Sequence, residues 1–539
     1  MFVKRVTWLL AAALAWSAVK AQNRPKLVVG IVVDQMRWDY LYRYYDRYGQ
    51  WGFKRLLNGG FSCENTMLPY VPTYTACGHS CIYTGSVPSI TGITGNTFFD
   101  NDLGREMYCT EDTSVRTVGS STNAGLMSPR NLLTTTVTDE LRLATNFRSK
   151  VIAISLKDRA SILPGGHTAN GAYWLDYKTG DIITSTYYEN ELPAWVQAFN
   201  ARKLPDAYYK KGWNTLYPLP TYTQSTDDVE DWEGRPFGDA QKGFPYDFTN
   251  YIGKDYSKLA TTPFGNSLVG ELAKQAVDGE HLGQGKVTDF LAISFSSTDY
   301  VGHAFGPNSV EAEDTYLRLD RTLADLLTYL DAKVGKGQYL VFLTADHGAA
   351  HVPGFMNAHH IPAGTFSENG WKKDLQDHLS DVFHTKNLVK ALLNYQVYLN
   401  QAVMDSQNLD RRKVEAEAVK FLAAQPGVAR VFGLDRMDNE PLPEPIRMAV
   451  ENGYNTHRGG DIQIILDPQW MDGGKTGTTH GLWNAYDAHI PLLWYGWGVK
   501  PGKLNRTVYM TDIAVTLAAM LHIQMPNGAI GQVIEEVAN

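Results

Sequence analysis

The sequence predicts an α/β fold with a mostly parallel central sheet flanked by helices, and three observations support this. The chain has 539 residues, of which 44% are hydrophobic and 20% charged, so it can bury a large core. Short, almost unbroken apolar runs recur along it, as is typical of parallel strands that are buried on both faces. Helical patterns separate these runs, which favours a parallel sheet covered on both sides.

The predicted elements alternate in chain order. The apolar runs that we assign to strands cover residues 26–34, 151–155, 289–296, 338–344 and 490–496. Helical periodicity is found in residues 131–143, 267–276 and 309–330.

Two segments interrupt this alternation. Residues 171–262 are rich in Tyr, Trp, Pro and Gly and lack clear periodicity, which predicts an irregular surface insertion. Residues 385–460 contain a helical run, a short apolar stretch and a Pro-rich turn, which predicts a smaller α+β lobe. We expect residues 22–539 to form one domain that carries both.

Residues 1–21 have the pattern of a secretory signal peptide. Lys4 and Arg5 precede an apolar run over residues 7–19, and Ala21 ends a small-residue cleavage site. The mature protein is therefore expected in the periplasm or outside the cell. No later apolar run approaches about 18 residues, so stable membrane insertion is not expected.

Charge and cysteine content exclude some partners and scaffolds. The chain has 49 basic and 57 acidic residues, and no basic cluster stands out, so nucleic acid is not expected as a partner. Four cysteines are too few for a disulfide scaffold in a chain of this length, although an oxidising compartment allows one or two bridges. Neither their pairing nor the oligomeric state follows from the sequence. The cysteines are Cys63, Cys77, Cys81 and Cys109.

Polar side chains follow four of the predicted strands, where ligands bind in open α/β sheets. A single Asp in such a place is usually a helix cap, but four converging strands with carboxylate and imidazole groups favour a metal site. With His480 in the Gly-rich loop 473–481, they offer three Asp and three His, enough for two metal ions with open positions. In strand order the groups are Asp34; Lys157 and Arg159; Asp299 and His303; and Asp346 and His347.

A nucleophile is predicted at Thr75, at the start of a predicted helix that runs through residue 82. A Thr at this position is most often an N-cap. The same position also collects backbone N–H groups and the positive end of the helix dipole, which suit a phosphate, and a metal can activate the hydroxyl. Cys77 and Cys81 compete for this role, but neither has a Cys–His arrangement around it, and we expect them to be buried or disulfide-bonded.

The ordered motifs resemble the alkaline phosphatase superfamily, and within it the exported bacterial phosphatases of the PafA type. The motifs are a strand ending in Asp34, Thr75 within P-T-x-T-x-x-x-H, D-x-x-x-H from Asp299, D-H-G from Asp346, and the late His480. The resemblance implies two zinc ions per chain. One would be held by Asp34, Asp346 and His347 and would coordinate the Thr75 oxygen, and the other by Asp299, His303 and His480.

The resemblance also implies that Asn96, Lys157 and Arg159 contact phosphate oxygens. A phosphate monoester carries nearly two negative charges and a diester only one, so the Lys157 and Arg159 pair favours a monoesterase. The predicted activity is zinc-dependent hydrolysis of small-molecule phosphate monoesters through a phosphothreonine intermediate on Thr75, releasing inorganic phosphate.

Three alternatives remain open at this point. A phosphodiesterase or nucleotide pyrophosphatase of the same superfamily would fit if Lys157 and Arg159 formed only a surface turn. A sulfatase is disfavoured because it needs a modified Cys or Ser nucleophile. A non-catalytic, metal-stabilised binding protein of the cell envelope would keep the metal ligands but not need Thr75. The physiological monoesters are not legible from the sequence.

Overall fold

A computed structural model describes residues 24–538, and within them the predicted α/β architecture is confirmed. The predicted signal peptide, residues 1–21, lies outside the described residues. None of the helices in the described range is both long and apolar enough to cross a membrane.

The bounds of the elements are as follows. The strands are β1 (Leu27–Val33), β2 (Phe61–Met67), β3 (Thr97–Asp100), β4 (Arg105–Tyr108), β5 (Thr117–Val118), β6 (Val151–Ile154), β7 (Gly171–Leu175), β8 (Ile182–Ser185), β9 (Asp289–Phe295), β10 (Tyr339–Thr344), β11 (Gly364–Phe366), β12 (Val389–Leu393), β13 (Gln396–Leu399), β14 (Val428–Gly433), β15 (Ile462–Leu466), β16 (Trp470–Asp472), β17 (His489–Gly496), β18 (Gly502–Leu504) and β19 (Val508–Tyr509). The α-helices are α1 (Tyr40–Arg43), α2 (Phe53–Gly59), α3 (Thr75–Thr84), α4 (Pro88–Thr91), α5 (Val137–Ala144), α6 (Arg159–Gly165), α7 (Ala194–Ala201), α8 (Leu204–Lys211), α9 (Ser257–Ala260), α10 (Pro263–Gly279), α11 (Ser297–Phe305), α12 (Val310–Leu330), α13 (Pro353–Ala358), α14 (Glu368–Phe383), α15 (Gln401–Ser406), α16 (Arg411–Ala423), α17 (Glu444–Gly453), α18 (Ala485–Ala488), α19 (Asp512–Leu521) and α20 (Glu535–Ala538).

The central sheet has the strand order β18-β2-β17-β10-β1-β9-β6-β7-β8-β5. Its middle, from β10 to β7, is parallel, and β1, β9 and β10 are buried along their whole length. The continuous apolar runs are therefore explained by helices on both faces. The predicted strand at 490–496 is present as β17 but runs antiparallel to β10. β17 begins at the edge of the sheet where β10 ends, with Leu492 paired to Thr344, and therefore runs in the direction opposite to β10.

The segment 171–262 contains both sheet strands and irregular structure. Its first part forms β7 and β8, which extend the central sheet beyond β6. Its remainder contains α7, α8 and α9 and loops that bury large aromatic side chains such as Trp213 and Tyr246. The boundaries of a surface insertion here stay a prediction.

The region of the predicted smaller lobe contains a four-stranded antiparallel sheet in the order β12-β13-β15-β14. Helices α14 and α16 pack on it through a separate apolar core that includes Leu375, Val414 and Ile464. These elements extend beyond residues 385–460 at both ends, from α14 to β15. The division of the chain into units stays a prediction.

All four cysteines are buried free thiols. Burial raises the pKa of Cys63 and of Cys109 to about 12, so both are protonated and weakly nucleophilic at neutral pH. The bridges that an oxidising compartment would allow are not formed in this structure.

The carboxylate of Glu368, the first residue of α14, predicts that the free energy of unfolding depends on pH. Burial and the nearby Asp472 carboxylate raise the pKa of Glu368 to about 7, although Tyr395 N–H donates to it. The folded state binds the proton of Glu368 more tightly than the unfolded state does. The contribution of protonated Glu368 to stability is therefore full below pH about 4.5 and is lost as pH rises through 7. We expect Glu368→Gln to remove roughly 1 kcal/mol of this pH dependence, after allowance for solvent screening.

Urea unfolding of wild type and Glu368→Gln at pH 5 and pH 8 measures this effect. Exposed Glu444 starts another helix, so Glu444→Gln is the control and should unfold like wild type at both pH values. An unchanged pH dependence in Glu368→Gln would contradict the prediction.

Candidate active site

Thr75 lies where the sequence predicts it, at the first residue of α3. The preceding Tyr74 is extended, and no side-chain cap bond is made at this helix terminus, so the hydroxyl of Thr75 is not used as a cap. Asn96 Oδ1 accepts a hydrogen bond of 2.9 Å from the N–H of Ala76, which holds the Asn96 side chain at the same helix terminus. A hydroxyl, an amide and the positive end of the helix dipole therefore meet at one point.

Lys157 lies beside Thr75 and is 2% exposed. Its Nζ lies 3.4 Å from Thr75 Oγ1, 2.7 Å from Asp34 Oδ2 and 2.6 Å from Asp299 Oδ2. It also lies 4.9 Å from the centre of the Tyr300 ring. The ammonium is thus held by two carboxylates and an aromatic face next to the hydroxyl, which satisfies its charge in a buried place.

Asp299, His303 and His480 come together, as predicted, with ligand atoms within 4.8 Å of one another. Asp299 and His303 are one turn apart on α11, and His303 Nε2 lies 3.1 Å from Asp299 Oδ1. The Nδ1 atoms of the two histidines lie 2.8 Å and 2.7 Å from the carbonyl oxygens of Thr478 and Thr73. Because a carbonyl can only accept, each Nδ1 carries a proton, which directs each Nε2 toward a metal. Against the effect of burial, the Asp299 carboxylate raises the pKa of His303, so metal binding there would displace a proton from Nε2.

Asp34, Asp346 and His347 form the second predicted set. His347 Nε2 lies 3.6 Å from Asp34 Oδ1 and 3.3 Å from Asp346 Oδ2, and His347 Nδ1 pairs with the carbonyl of Gly348 at 2.9 Å. The second group whose ligand atoms all lie within 4.8 Å of one another is Asp34, His347 and Asp299, with Asp299 in the place predicted for Asp346. Asp299 therefore belongs to both groups, while Asp346 contacts this one through His347. His347 and His480 stack with ring centres 3.5 Å apart.

The donor set fits divalent metal ions. Asp34 Oδ1, Asp346 Oδ2 and His347 Nε2 are buried and make no hydrogen bond among the described residues, as ligand atoms would. Burial, with repulsion from His347 and His303, lowers the pKa of His480, and burial lowers that of His347, so both rings are neutral as ligation requires. Carboxylate and imidazole donors in such sets suit zinc and similar ions.

Arg159 bonds to Tyr108 rather than to one of the proposed metal ligands. It begins α6, and its Nη1 donates to the hydroxyl of Tyr108 at 3.0 Å. That hydroxyl donates in turn to Asp158 Oδ1 at 2.7 Å. Tyr108 therefore orients the guanidinium, a role that the sequence did not indicate.

Two further residues at the site were also missed. Gln35 links both ligand sets: its Nε2 donates to Asp299 Oδ1 at 2.7 Å and its backbone N–H to Asp346 Oδ1 at 3.1 Å. His79 is fully buried, with Nδ1 2.9 Å from the carbonyl of Thr75 and 3.3 Å from Asp346 Oδ2. Their positions, directly after Asp34 and one turn after Thr75, were the available signal.

Gln35→Ala is expected to weaken metal binding about 10–100-fold, the usual effect of losing a group that orients metal ligands. The substitution frees Asp299 Oδ1 while leaving the proposed ligands in place. Competition with a chromophoric chelator measures the affinity, and exposed Gln401→Ala on α15 is the control. Equal affinity in Gln35→Ala and wild type would show that Gln35 only fills space.

Comparison with known proteins agrees with this geometry. Residues 28–487 match the model of the type I phosphodiesterase / nucleotide pyrophosphatase family. The chain is 55% identical over 519 residues to alkaline phosphatase PhoV of Synechococcus elongatus, covering 95% of this chain and 93% of PhoV. It is also 55% identical over 519 residues to a Myroides odoratus protein named calcium-transporting ATPase, covering 95% of each.

Alkaline phosphatase PafA of Elizabethkingia meningoseptica is 52% identical over 541 residues, which cover 98% of both chains. The crystal structure of wild-type PafA superposes with a TM-score of 0.95 over 96% of this chain and 100% of that structure. The predicted resemblance is thereby confirmed at the level of both sequence and fold. The chain belongs to the type I phosphodiesterase / nucleotide pyrophosphatase family and, within it, to the alkaline phosphatases of the PafA and PhoV type.

Proposed function

We propose that this protein is a zinc-dependent phosphate monoester hydrolase that works through a phosphothreonine intermediate on Thr75. The observation that carries the proposal is the position of the Thr75 hydroxyl, at a helix N-terminus and 3.4 Å from the buried Lys157 ammonium. The adjacent carboxylates and imidazoles supply ligands for two metal ions. The names of PafA and PhoV as alkaline phosphatases support the same activity.

The metal ligands are assigned as the sequence suggests. Asp299, His303 and His480 would hold one zinc ion, and Asp34, Asp346 and His347 the other, together with Thr75 Oγ1. Bound in these places, zinc supplies Lewis acidity, which lowers the pKa of a coordinated hydroxyl and stabilises negative charge on oxygen.

The reaction has two displacements at phosphorus. Thr75 loses its hydroxyl proton to solvent and attacks the phosphorus. The Oγ–P bond forms, the ester P–O bond breaks, and the alcohol leaves and takes up a proton from solvent. Water then attacks the phosphothreonine, which releases inorganic phosphate and restores Thr75. Lys157, Arg159 and the amide N–H groups of Asn96 hold the phosphoryl oxygens, and the two cations balance their charge in both steps.

The substrates that fit this proposal are small-molecule phosphate monoesters. The predicted signal peptide places the mature enzyme in the periplasm or outside the cell, where such esters are a source of phosphate. Mass spectrometry of the N-terminus of the exported protein would test the cleavage after Ala21.

A comparison of nitrophenyl phosphate with its methyl diester tests the activity, with purified mature protein and zinc in excess. A strong preference for the monoester supports the proposal. The family that matches this chain is named for phosphodiesterases, and a preference for the diester would favour that second activity. If neither ester is hydrolysed, both enzymatic hypotheses fail and the hypothesis of a metal-stabilised binding protein remains.

A further inference from the structure

Two buried glutamates, Glu233 and Glu311, lie outside the candidate active site, near the start of α12. Their side chains are 1% and 0% exposed. Both carboxylate oxygens of Glu233 and Oε2 of Glu311 accept no hydrogen bond from the described residues. An ionised carboxylate in such a place needs a compensating partner, because its desolvation is very unfavourable.

The protein groups around the pair compensate it only in part. Tyr246 donates to Glu311 Oε1 at 2.6 Å, which leaves Oε2 unpaired. Arg235 Nη1 lies 3.9 Å from Glu233 Oε2, too far for a hydrogen bond, and its guanidinium donates instead to backbone carbonyls, including that of Glu230 at 2.9 Å. The half-buried Asp228 carboxylate adds further negative charge near Glu311.

Protonation of the two carboxyls would remove their charge. Burial and the Glu311 carboxylate raise the pKa of Glu233 to about 9, and burial raises that of Glu311 to about 8. Both would be neutral at pH 7 without a counter-charge. A carboxylic acid still needs an acceptor for its O–H, and the Glu311 carboxylate, whose charge acts on Glu233, is one such acceptor. A proton shared by the two carboxyls is therefore the alternative to a bound cation, and it predicts no saturable terbium signal.

We propose that Glu233 and Glu311 bind a hard divalent cation, calcium, at a site separate from the two proposed zinc positions. The donors are carboxylate oxygens without imidazole or thiolate, the set that calcium prefers over zinc. Calcium also tolerates irregular coordination, which water can complete. The proposal does not depend on the phosphatase mechanism.

The site lies where a cation would fasten the segment 232–234 beside His303. Gly234 N–H donates to the carbonyl of Ala304 at 2.7 Å, and Trp232 accepts from Gly477 N–H at 2.9 Å. The next residue, Thr478, binds His303 through both its N–H and its carbonyl. Calcium at Glu233 and Glu311 therefore stabilises a loop that supports a proposed zinc ligand.

Terbium luminescence tests the site in the full chain with zinc in excess. Tyr246, bonded to Glu311, has its ring 5.6 Å from that of Trp213, so either ring can sensitise bound terbium. We expect a saturable signal that calcium displaces, one calcium ion per chain by elemental analysis, and a higher Tm in millimolar calcium. Glu233→Gln should weaken terbium binding at least tenfold, and Glu233→Gln with Glu311→Gln should abolish it.

The matched control is Glu189→Gln, which alters a partly buried glutamate bonded to Tyr173 elsewhere in the fold and should bind terbium like wild type. If the double variant fails to fold by circular dichroism, the single Glu233→Gln variant decides. An undiminished signal in Glu233→Gln, no saturable signal in wild type, or a wild-type Tm that is indifferent to calcium would each overturn the proposal.

Discussion

Thr75→Ala is expected to lower kcat/KM for nitrophenyl phosphate by about 10³-fold or more, the scale of losing a catalytic nucleophile. Thr75 is 1% exposed and its hydroxyl caps no helix, so alanine should leave the fold and the metal ligands intact. Thr75→Ser keeps a hydroxyl at the same place and should retain activity to within about tenfold. Steady-state kinetics at matched zinc content measure both variants.

Acid-quenched mass spectrometry locates the intermediate in the same experiment. Wild type should carry a phosphoryl group on the peptide that contains Thr75, and Thr75→Ala should carry none. Phosphorylation of Cys77 or Cys81 instead, or a Thr75→Ala variant within tenfold of wild type, would refute Thr75 as the nucleophile. The buried, free thiols at positions 77 and 81 make that outcome unexpected.

Arg159→Ala is expected to lower kcat/KM for the monoester by about 10²–10³-fold while changing the diester rate by less than about tenfold. In the proposed mechanism the guanidinium balances the second negative charge, which only the monoester carries. Arg159 is the better choice for this test than Lys157, because Lys157 also holds Asp34 and Asp299 together and its loss would disturb the proposed ligands.

Arg159→Lys provides the control for charge alone. It keeps the positive charge but loses the planar fork, so we expect an intermediate rate on the monoester. An equal loss on monoester and diester in Arg159→Ala would mean that Arg159 supports the site without selecting the substrate. A larger loss on the diester would favour the phosphodiesterase.

Much of the fold was predictable because strands that are buried on both faces have a strong local signature. The runs at β1, β9 and β10 are apolar almost throughout, and their length is typical of strands rather than helices. The direction of β17 was not predictable, because an apolar run carries no record of the strand beside it. For the same reason β7 and β8 could not be assigned within an aromatic-rich segment without periodicity.

The site divides in a similar way. Asp34, Asp299 and Asp346 could be proposed because each follows a recognisable strand, and residues at neighbouring strand ends must lie close together. Gln35 and Tyr108 could not, because each acts through a partner far away in sequence: Gln35 through Asp299, and Tyr108 through Arg159. The position of Gln35 directly after Asp34 was its one local signal and did not identify its partner, and Tyr108 has no such neighbour.

The class of fold, the chain positions of the proposed nucleophile and ligands, and the family resemblance could all be predicted from residue type, local pattern and order. Which atoms face one another could be seen only in the folded structure. It placed Lys157 between two carboxylates beside Thr75 and left three oxygens of Glu233 and Glu311 buried without donors. Such arrangements depend on distances between segments that are remote in sequence, which only packing determines.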